Sequence, residues 1–188
     1  DRATKQRAAK FRREQGAVDV NAAIRDALAG AMAEARLARV EVVTVLDAGL
    51  PVAIGDAVQI RQVVSNLVCN AIQAMGGAAD PEFKAGRLVR VRSEADGLGS
   101  ILVSVEDGGT GLDQGLRERI FEPFFTTKAH GMGLGLMFCR SVVEAHGGRL
   151  WVTENAPHGA VFRFSLPAAL PPVATFPVSF PDPARERG

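Results

Sequence analysis

Between Gly55 and Met75 the chain carries two stripes that a helix separates cleanly. At about 100° per residue, Ile60, Val63, Val64, Leu67, Ala71 and Met75 gather on one side. Gln59, Gln62, Asn66, Asn70 and Gln73 gather on the other, within an arc of roughly 80°. The apolar stripe has to be buried against another layer. The second stripe is polar yet uncharged. Surface helices usually place Glu, Lys and Arg there, because these are better helix formers than Asn, and two Asn one turn apart cost helix stability. Two readings fit: a solvent face that carries amides by chance, or a ligand wall. An Asn carbonyl oxygen is a neutral, hard ligand suited to Mg²⁺, which keeps waters and shares its shell with phosphates, and a second Asn one turn away can orient those waters.

The rest of the chain offers this helix a sheet. Apolar residues make up 47% and charged residues 23% of the 188, enough for a core and against global disorder. Asp19 is a good N-cap for a helix through about Leu37, with Ile24, Ala27, Leu28, Ala31 and Ala35 on one side. Val40–Leu46 is rich in β-branched residues and reads as a strand. Leu88–Glu94 and Ile101–Glu106 are strands joined through Asp96-Gly97-Leu98-Gly99, a hairpin signal. A short helix is expected near Asp113–Arg119, a longer one over Leu134–His146, and closing strands at Leu150–Glu154 and Ala160–Leu166. The expected fold class is α+β: a two-layer α/β sandwich, one mixed sheet with helices on one face.

Residues 1–16 read as the basic, solvated end of a preceding helix, 17–167 as the domain proper, and 168–188, with Pro171, Pro172, Pro177, Pro181 and Pro183, as an extended linker or tail. The chain begins without Met, which reads as a fragment of a longer protein. Lys and Arg number 22 against 21 Asp and Glu, a balance that argues against a nucleic-acid partner or contact with an anionic membrane. No run of about 18 apolar residues is there to read as a membrane span, and the polar, basic stretch Asp1–Glu14 does not read as a signal peptide. Cys69 and Cys139 each sit in an apolar run and read as small core residues of a reduced, cytoplasmic protein.

Two glycine-rich loops complete the pattern. Val103-Ser104-Val105-Glu106 is followed at once by Asp107-Gly108-Gly109-Thr110-Gly111. This is either a simple turn or a purine pocket, in which the carboxylate accepts from an exocyclic amine and missing side chains let the ring approach the backbone. Gly131-Met132-Gly133-Leu134-Gly135-Leu136 then enters a helix, where free N–H groups and the dipole favour phosphate. Rossmann spacing and a P-loop are both missing, as is the His-Arg-Asp and Asp-Phe-Gly set of Ser/Thr kinases. Between the loops lies Phe121-Glu122-Pro123-Phe124-Phe125-Thr126-Thr127-Lys128, a core plug or part of a site.

The order of these parts resembles the ATP-binding catalytic domain of sensor histidine kinases (the Bergerat ATP-binding fold), in the wider group with the Hsp90, gyrase and MutL ATPases. The likeness covers about Val40–Pro167. Asn66-Leu67-Val68-Cys69-Asn70-Ala71 looks like the N box, Asp107–Gly111 the first glycine box, Phe121–Phe125 the F box and Gly131–Leu136 the second glycine box. The Thr126-Thr127-Lys128 extension is similar to the nitrogen-regulation and oxygen-sensing subgroups. The resemblance implies that Asn70 binds Mg²⁺ with Asn66 in support, and that Asp107 holds the adenine amine while Gly109 and Gly111 let the ring approach. It makes Phe125–Gly133 a lid over ATP, with Thr126, Thr127 and Gly131 at the nucleotide and Lys128 as a catalytic phosphate contact. Gly133, Leu134, Gly135 and Leu136 would close backbone onto the phosphates. Two departures stand out: Gly108 sits where the family usually has Asn, and Val161 where many members have a Thr that helps fix the adenine contact.

The related ATPases carry a Glu one turn before the Mg²⁺ ligand, as base for water. Here that position is Asn66, which cannot take a proton. The expected activity is therefore phosphotransfer, with ATP and Mg²⁺ as cofactors and a His acceptor supplied elsewhere, so that catalysis is mostly positioning and electrostatics. The family's acceptor His precedes Glu or Asp on a dimerising helical hairpin, whereas His130, His146 and His158 all precede Gly. The partners implied are that dimerisation and phosphoacceptor domain, within a full-length homodimer, and a response regulator. A degenerate docking module, favoured by Gly108 and Val161, and an ATPase of the wider group are the alternatives. His146, at a helix end, is expected to serve the free carbonyls there.

Overall fold

The computed structural model describes residues 16–76, 87–125 and 133–169. Strand β1 (Gly16–Val18) leads into helix α1 (Val20–Leu37), followed by β2 (Glu41–Leu46), β3 (Ala53–Gly55) and helix α2 (Ala57–Gly76). The hairpin β4 (Leu88–Ala95) and β5 (Ser100–Asp107) comes next. Two 3₁₀ turns at Gln114–Leu116 and Arg119–Phe121 stand where a single short helix was expected. Helix α3 (Gly135–Ala145) and strands β6 (Arg149–Glu154) and β7 (Ala160–Pro167) complete the order.

Five strands form one sheet in the order β2-β4-β5-β7-β6. β2 runs parallel to β4, and every other neighbouring pair is antiparallel. Alternation along each strand sends one set of side chains toward the helices: Val89 and Val91 from β4, Ile101, Val103 and Val105 from β5, Phe162, Phe164 and Leu166 from β7, and Leu150 from β6, all buried. They meet Ile24, Ala27, Leu28 and Ala31 of α1, Ile60, Val63, Val64, Leu67, Ala71 and Met75 of α2, and Cys139 and Val143 of α3 in one core. The apolar stripe of α2 is thus buried as its spacing requires. The fold is the expected α+β sandwich, a mixed sheet with its helices on one face.

Asp19 caps α1 as expected, Oδ1 accepting from the Ala22 N–H at 2.9 Å. Two features were not anticipated. β1 and β3 pair as a small antiparallel ribbon beside the main sheet. In the first turn of α1 the buried Asn21 donates to the Asp47 carbonyl at 2.7 Å and accepts from Ser93 Oγ at 2.7 Å. This bridge ties α1 to β4 and to the loop after β2. Hydrogen bonding also runs past Pro167: the Ala168 N–H donates to Gly99 and the Ala169 N–H to Val52.

The turn between α3 and β6 has no room for a side chain at Gly148, where a Cβ would overlap the Ser165 carbonyl and lie 3.1 Å from Val143 Cγ1. Gly148→Ala is expected to force β7 away from this turn. The cost is about 1–3 kcal/mol, typical of overpacking, read as a lower urea midpoint at unchanged m-value.

Candidate functional site

α2 presents its amides unevenly. Asn66 and Asn70 are half-buried and Gln62 is exposed. Gln73 turns away toward α1, its Nε2 donating to Glu34 Oε1 at 3.1 Å. Gln59 faces inward, with Oε1 shut off from solvent and without a partner among the described residues. The stripe is therefore a wall only in its middle, at Asn66 and Asn70. There it abuts the start of α3: Asn66 Oδ1 lies 3.6 Å from where a Gly135 Cβ would stand, and its amide reaches Cys139 Sγ. A cavity of about 410 Å³, lined by Gln62, Ser65, Asn66, Cys69 and Phe138, opens beside it.

The second wall is the end of β5. Asp107 is 3% exposed. Its Oδ1 accepts from the Gly109 N–H at 2.9 Å and the Ala160 N–H at 3.2 Å, and its main-chain oxygen accepts from Asn155 Nδ2 at 2.8 Å. Among the described residues nothing donates to Oδ2. Burial pushes the Asp107 carboxyl above its ordinary value, against the two N–H donors, which lower it. A buried acid with one oxygen anchored and the other uncommitted is equipped to receive a donor from outside the chain.

Two glycines beside it are required by close approach. A Cβ on Gly109 would lie 3.0 Å from both Asp107 Oδ1 and the Ala74 carbonyl, while Gly111 has φ +74 and stands against Gly159. Around Gly108 a Cβ would meet nothing within 4 Å, so a side chain would fit at this position. Val161 needs a correction. It pairs with Glu106, so its side chain lies on the sheet face opposite Asp107. The residue beside the carboxylate is Ala160, one position earlier, because a shift of one residue along a strand changes face.

The F box splits in three directions. Phe121 is buried beneath the Arg140 guanidinium, 5.5 Å from its ring centre, and Phe125 is half-buried under Arg119 at 4.7 Å. Phe124 is 76% exposed with φ +63, a left-handed conformation that a bulky residue rarely adopts. The Phe124 N–H donates to the Gly133 carbonyl at 3.1 Å. Gly133 itself has φ +66, and a Cβ there would stand 2.5 Å from the Phe124 carbonyl carbon. The two ends of the expected lid are thus cinched together. Thr126, Thr127, Lys128 and Gly131 lie outside the described residues. Leu134 precedes α3 without a side-chain cap, so the first N–H groups at Gly135 and Leu136 are left for a ligand or water.

Neither cysteine forms a disulfide; Cys139 is the expected core residue, its thiol pushed up to about 12 by burial, whereas Cys69 is only half-buried and lines the cavity beside Asn66. Among the described residues no group of three His, Cys, Asp or Glu could hold a metal, and no helix is long and apolar enough to cross a membrane.

Residues 55–170 match the family described as histidine kinase-, DNA gyrase B-, and HSP90-like ATPase. The sensor protein FixL of Bradyrhizobium diazoefficiens is 43% identical over 146 residues, covering 78% of this chain and 28% of FixL. The solved catalytic domain of the histidine kinase ThkA superposes with a TM-score of 0.70 at 33% identity, covering 82% of this chain and 96% of that one. A structure of ThkA in complex with the response regulator protein TrrA matches with a TM-score of 0.68 at 31% identity, covering 82% of this chain and 42% of that one. The chain spans little more than a quarter of FixL's length. Its fold, the order of its elements and these likenesses agree that it belongs to the histidine kinase-, DNA gyrase B- and HSP90-like ATPase family and carries a catalytic domain of the sensor histidine kinase type.

Proposed function

We propose that this domain binds Mg-ATP between α2 and the end of β5 and presents the γ-phosphate to a histidine on a separate helical domain of the same protein, for relay to a response regulator. The observation that carries the reading is Asp107, buried and held by one oxygen with the other uncommitted. The adenine amine would donate to Oδ2, and the ring would lie over Gly109 and Gly111. The uncapped start of α3 would receive the phosphates at Gly133, Leu134, Gly135 and Leu136. Thr126, Thr127, Lys128 and Gly131 are assigned to the lid by their place in the sequence, with Phe125 at its base.

The donor set fits magnesium shared with phosphate. Asn70, with Asn66 in support, offers neutral oxygens rather than a carboxylate cage, which suits an ion that retains waters and takes its charge from the nucleotide. When bound, the ion neutralises charge on the phosphates. The protein's own work is to bind the purine, fix the phosphate chain and keep water unactivated. Position 66 holds an amide that cannot serve as general base, so transfer to an acceptor is favoured over hydrolysis. We also assign the residues before Gly16 to the end of a phosphoacceptor helix, 16–169 to the catalytic domain, since Gly16 pairs with Gly55 and the Ala168 and Ala169 N–H groups bond back to Gly99 and Val52, and the residues after 169 to a linker or tail, within a cytoplasmic homodimer. ThkA has been solved with a response regulator, which supports the partner class.

Fluorescent ATP-analogue titration with and without Mg²⁺ tests the reading, together with [γ-³²P]ATP labelling. Mg²⁺-dependent binding is expected, without label on this chain and without steady turnover. Label appears once the phosphoacceptor domain is supplied. No binding would indicate a docking module, and sustained hydrolysis an ATPase.

A further inference from the structure

His146 is buried, 6% exposed, and lies about one α3 length from the ligand end of that helix. It does more than serve its own helix end. Nδ1 lies 2.7 Å from the Val142 carbonyl, while Nε2 accepts from the Asp56 N–H at 3.0 Å. A carbonyl can only accept and an N–H can only donate, so one tautomer satisfies both contacts: the proton is on Nδ1 and Nε2 is the acceptor. Asp56 is itself the cap of α2, its Oδ1 accepting from the Val58 and Gln59 N–H groups at 2.8 and 3.2 Å. The ring occupies the space beside Gly55, where a Cβ would stand 2.8 Å from Nε2 and closer still to Cδ2. Gly55 has no positive φ, so that glycine provides room rather than conformational freedom.

The contacts between α2 and α3 form an antiparallel ladder. His146 meets Asp56, Cys139 Sγ lies 3.8 Å from the Val63 carbonyl, and Asn66 meets Cys139 and Gly135. From Asp56 to Asn66 is about 15 Å along a helix, and from Gly135 to His146 about 16 Å, at 1.5 Å per residue. The imidazole therefore pins one end of a helix pair whose other end is the Asn66–Gly135 gap. The hydrophobic drive that brings the helices together is non-directional. Two directed bonds to one buried ring set the axial register.

We infer that His146 is a positioning residue: as the Nδ1–H tautomer it locks α2 to α3 and fixes the separation of Asn66 and Asn70 from the start of α3. This role rests on the Mg-ATP reading of that gap. It gives the histidine a task unrelated to phosphate acceptance.

The test uses the full 188-residue chain. Histidine ¹⁵N–¹H correlation spectra of the wild type should show His146 as the Nδ1–H tautomer, and an Nε2–H ring would overturn the pin. His146→Leu should weaken Mg²⁺-dependent binding of a fluorescent ATP analogue about tenfold, as small misplacements do, while still melting cooperatively. His146→Gln, whose amide oxygen can accept from Asp56, should recover much of that loss. Gly55→Ala should weaken binding in the wild type but add little in the His146→Ala background, where the ring is gone and only the end of the flexible Ile60 side chain, 3.2 Å from the new Cβ, has to give. Unchanged affinity in His146→Leu, or fully additive effects in the cycle, would overturn the role. A wild-type chain that fails to take up the analogue would overturn the site reading and this role with it, whereas a binding wild type with indifferent variants would sink only the pin.

Discussion

Asp107→Asn is expected to abolish nucleotide binding while leaving the nucleotide-free domain at least as stable as before. The asparagine keeps an Oδ1 that can accept from Gly109 and Ala160, so the loop retains both anchors. It replaces the uncommitted acceptor with an NH₂ donor that opposes the adenine amine. A charged hydrogen bond is worth about 1.5–3 kcal/mol, and turning acceptor into donor removes at least that, roughly a hundredfold in affinity. The stability effect has the opposite sign. Burial is the largest influence on the carboxyl and raises it above 3.8, outweighing the Gly109 and Ala160 donors. Because the folded value lies above the unfolded one, the native state favours the protonated acid. That contribution is fully present below pH 3.8 and is lost as pH rises through the folded value. At neutral pH the wild type therefore bears an ionised, desolvated carboxylate that the variant lacks. Urea titrations from acid to neutral pH should show the variant's advantage growing as pH rises across that window. A variant that binds the ATP analogue as the wild type does would refute the assignment, and a stability difference of opposite sign would refute the electrostatics. A binding group kept at a cost to the fold is the usual compromise of functional sites.

The frame of the domain could be read from residue spacing because the signals were local. The stripe on α2, the Asp19 cap and the β-branched runs each dictate one element, and burial follows from periodicity. The paired boxes made the two walls of the candidate site legible for the same reason: Asp107 and the Asn pair stand in fixed relation to a strand end and a helix turn. What escaped depended on contacts distant in sequence. The β1–β3 ribbon joins three residues to three others across an entire helix, and Asn21–Ser93–Asp47 is a buried network spanning α1, β4 and a loop. Nothing near His146 in sequence announces that its acceptor side serves Asp56, 90 positions away. Gly55 was a faint clue, since a glycine before a helix cap with ordinary backbone angles needs a steric reason. The misplacement of Val161 has a different origin. The family's Thr position, matched to Val161, falls one residue late, and in a pleated strand one residue moves a side chain from the carboxylate to the far side of the sheet.

Asn70→Ala should separate nucleotide capture from phosphate chemistry. Asn66 is built into the α2–α3 contact, beside Gly135 and Cys139, so its removal disturbs the helix pair as well as any ligand. Asn70 lies one turn further along the same stripe and is half-buried. Loss of its amide is expected to cost the fold only about 1 kcal/mol. In the Mg-ATP reading Asn70 would hold the ion, which would supply charge neutralisation at the phosphates. Transfer to the phosphoacceptor domain, followed by label from [γ-³²P]ATP, should fall about a hundredfold or more, the scale seen when one preorganised electrostatic contact is removed. Analogue binding should fall less, because Asp107 and the glycine cradle still hold the purine. Chelating magnesium should bring the wild-type affinity down to that of the variant and leave the variant unaffected. Equal transfer rates in the two proteins, or a variant whose binding still rises with Mg²⁺, would place the ion elsewhere. Asn70→Ala and Asp107→Asn should then fail in different ways, one retaining nucleotide without passing phosphate and the other failing to retain nucleotide at all. That division of labour is what two walls built from separate elements predict.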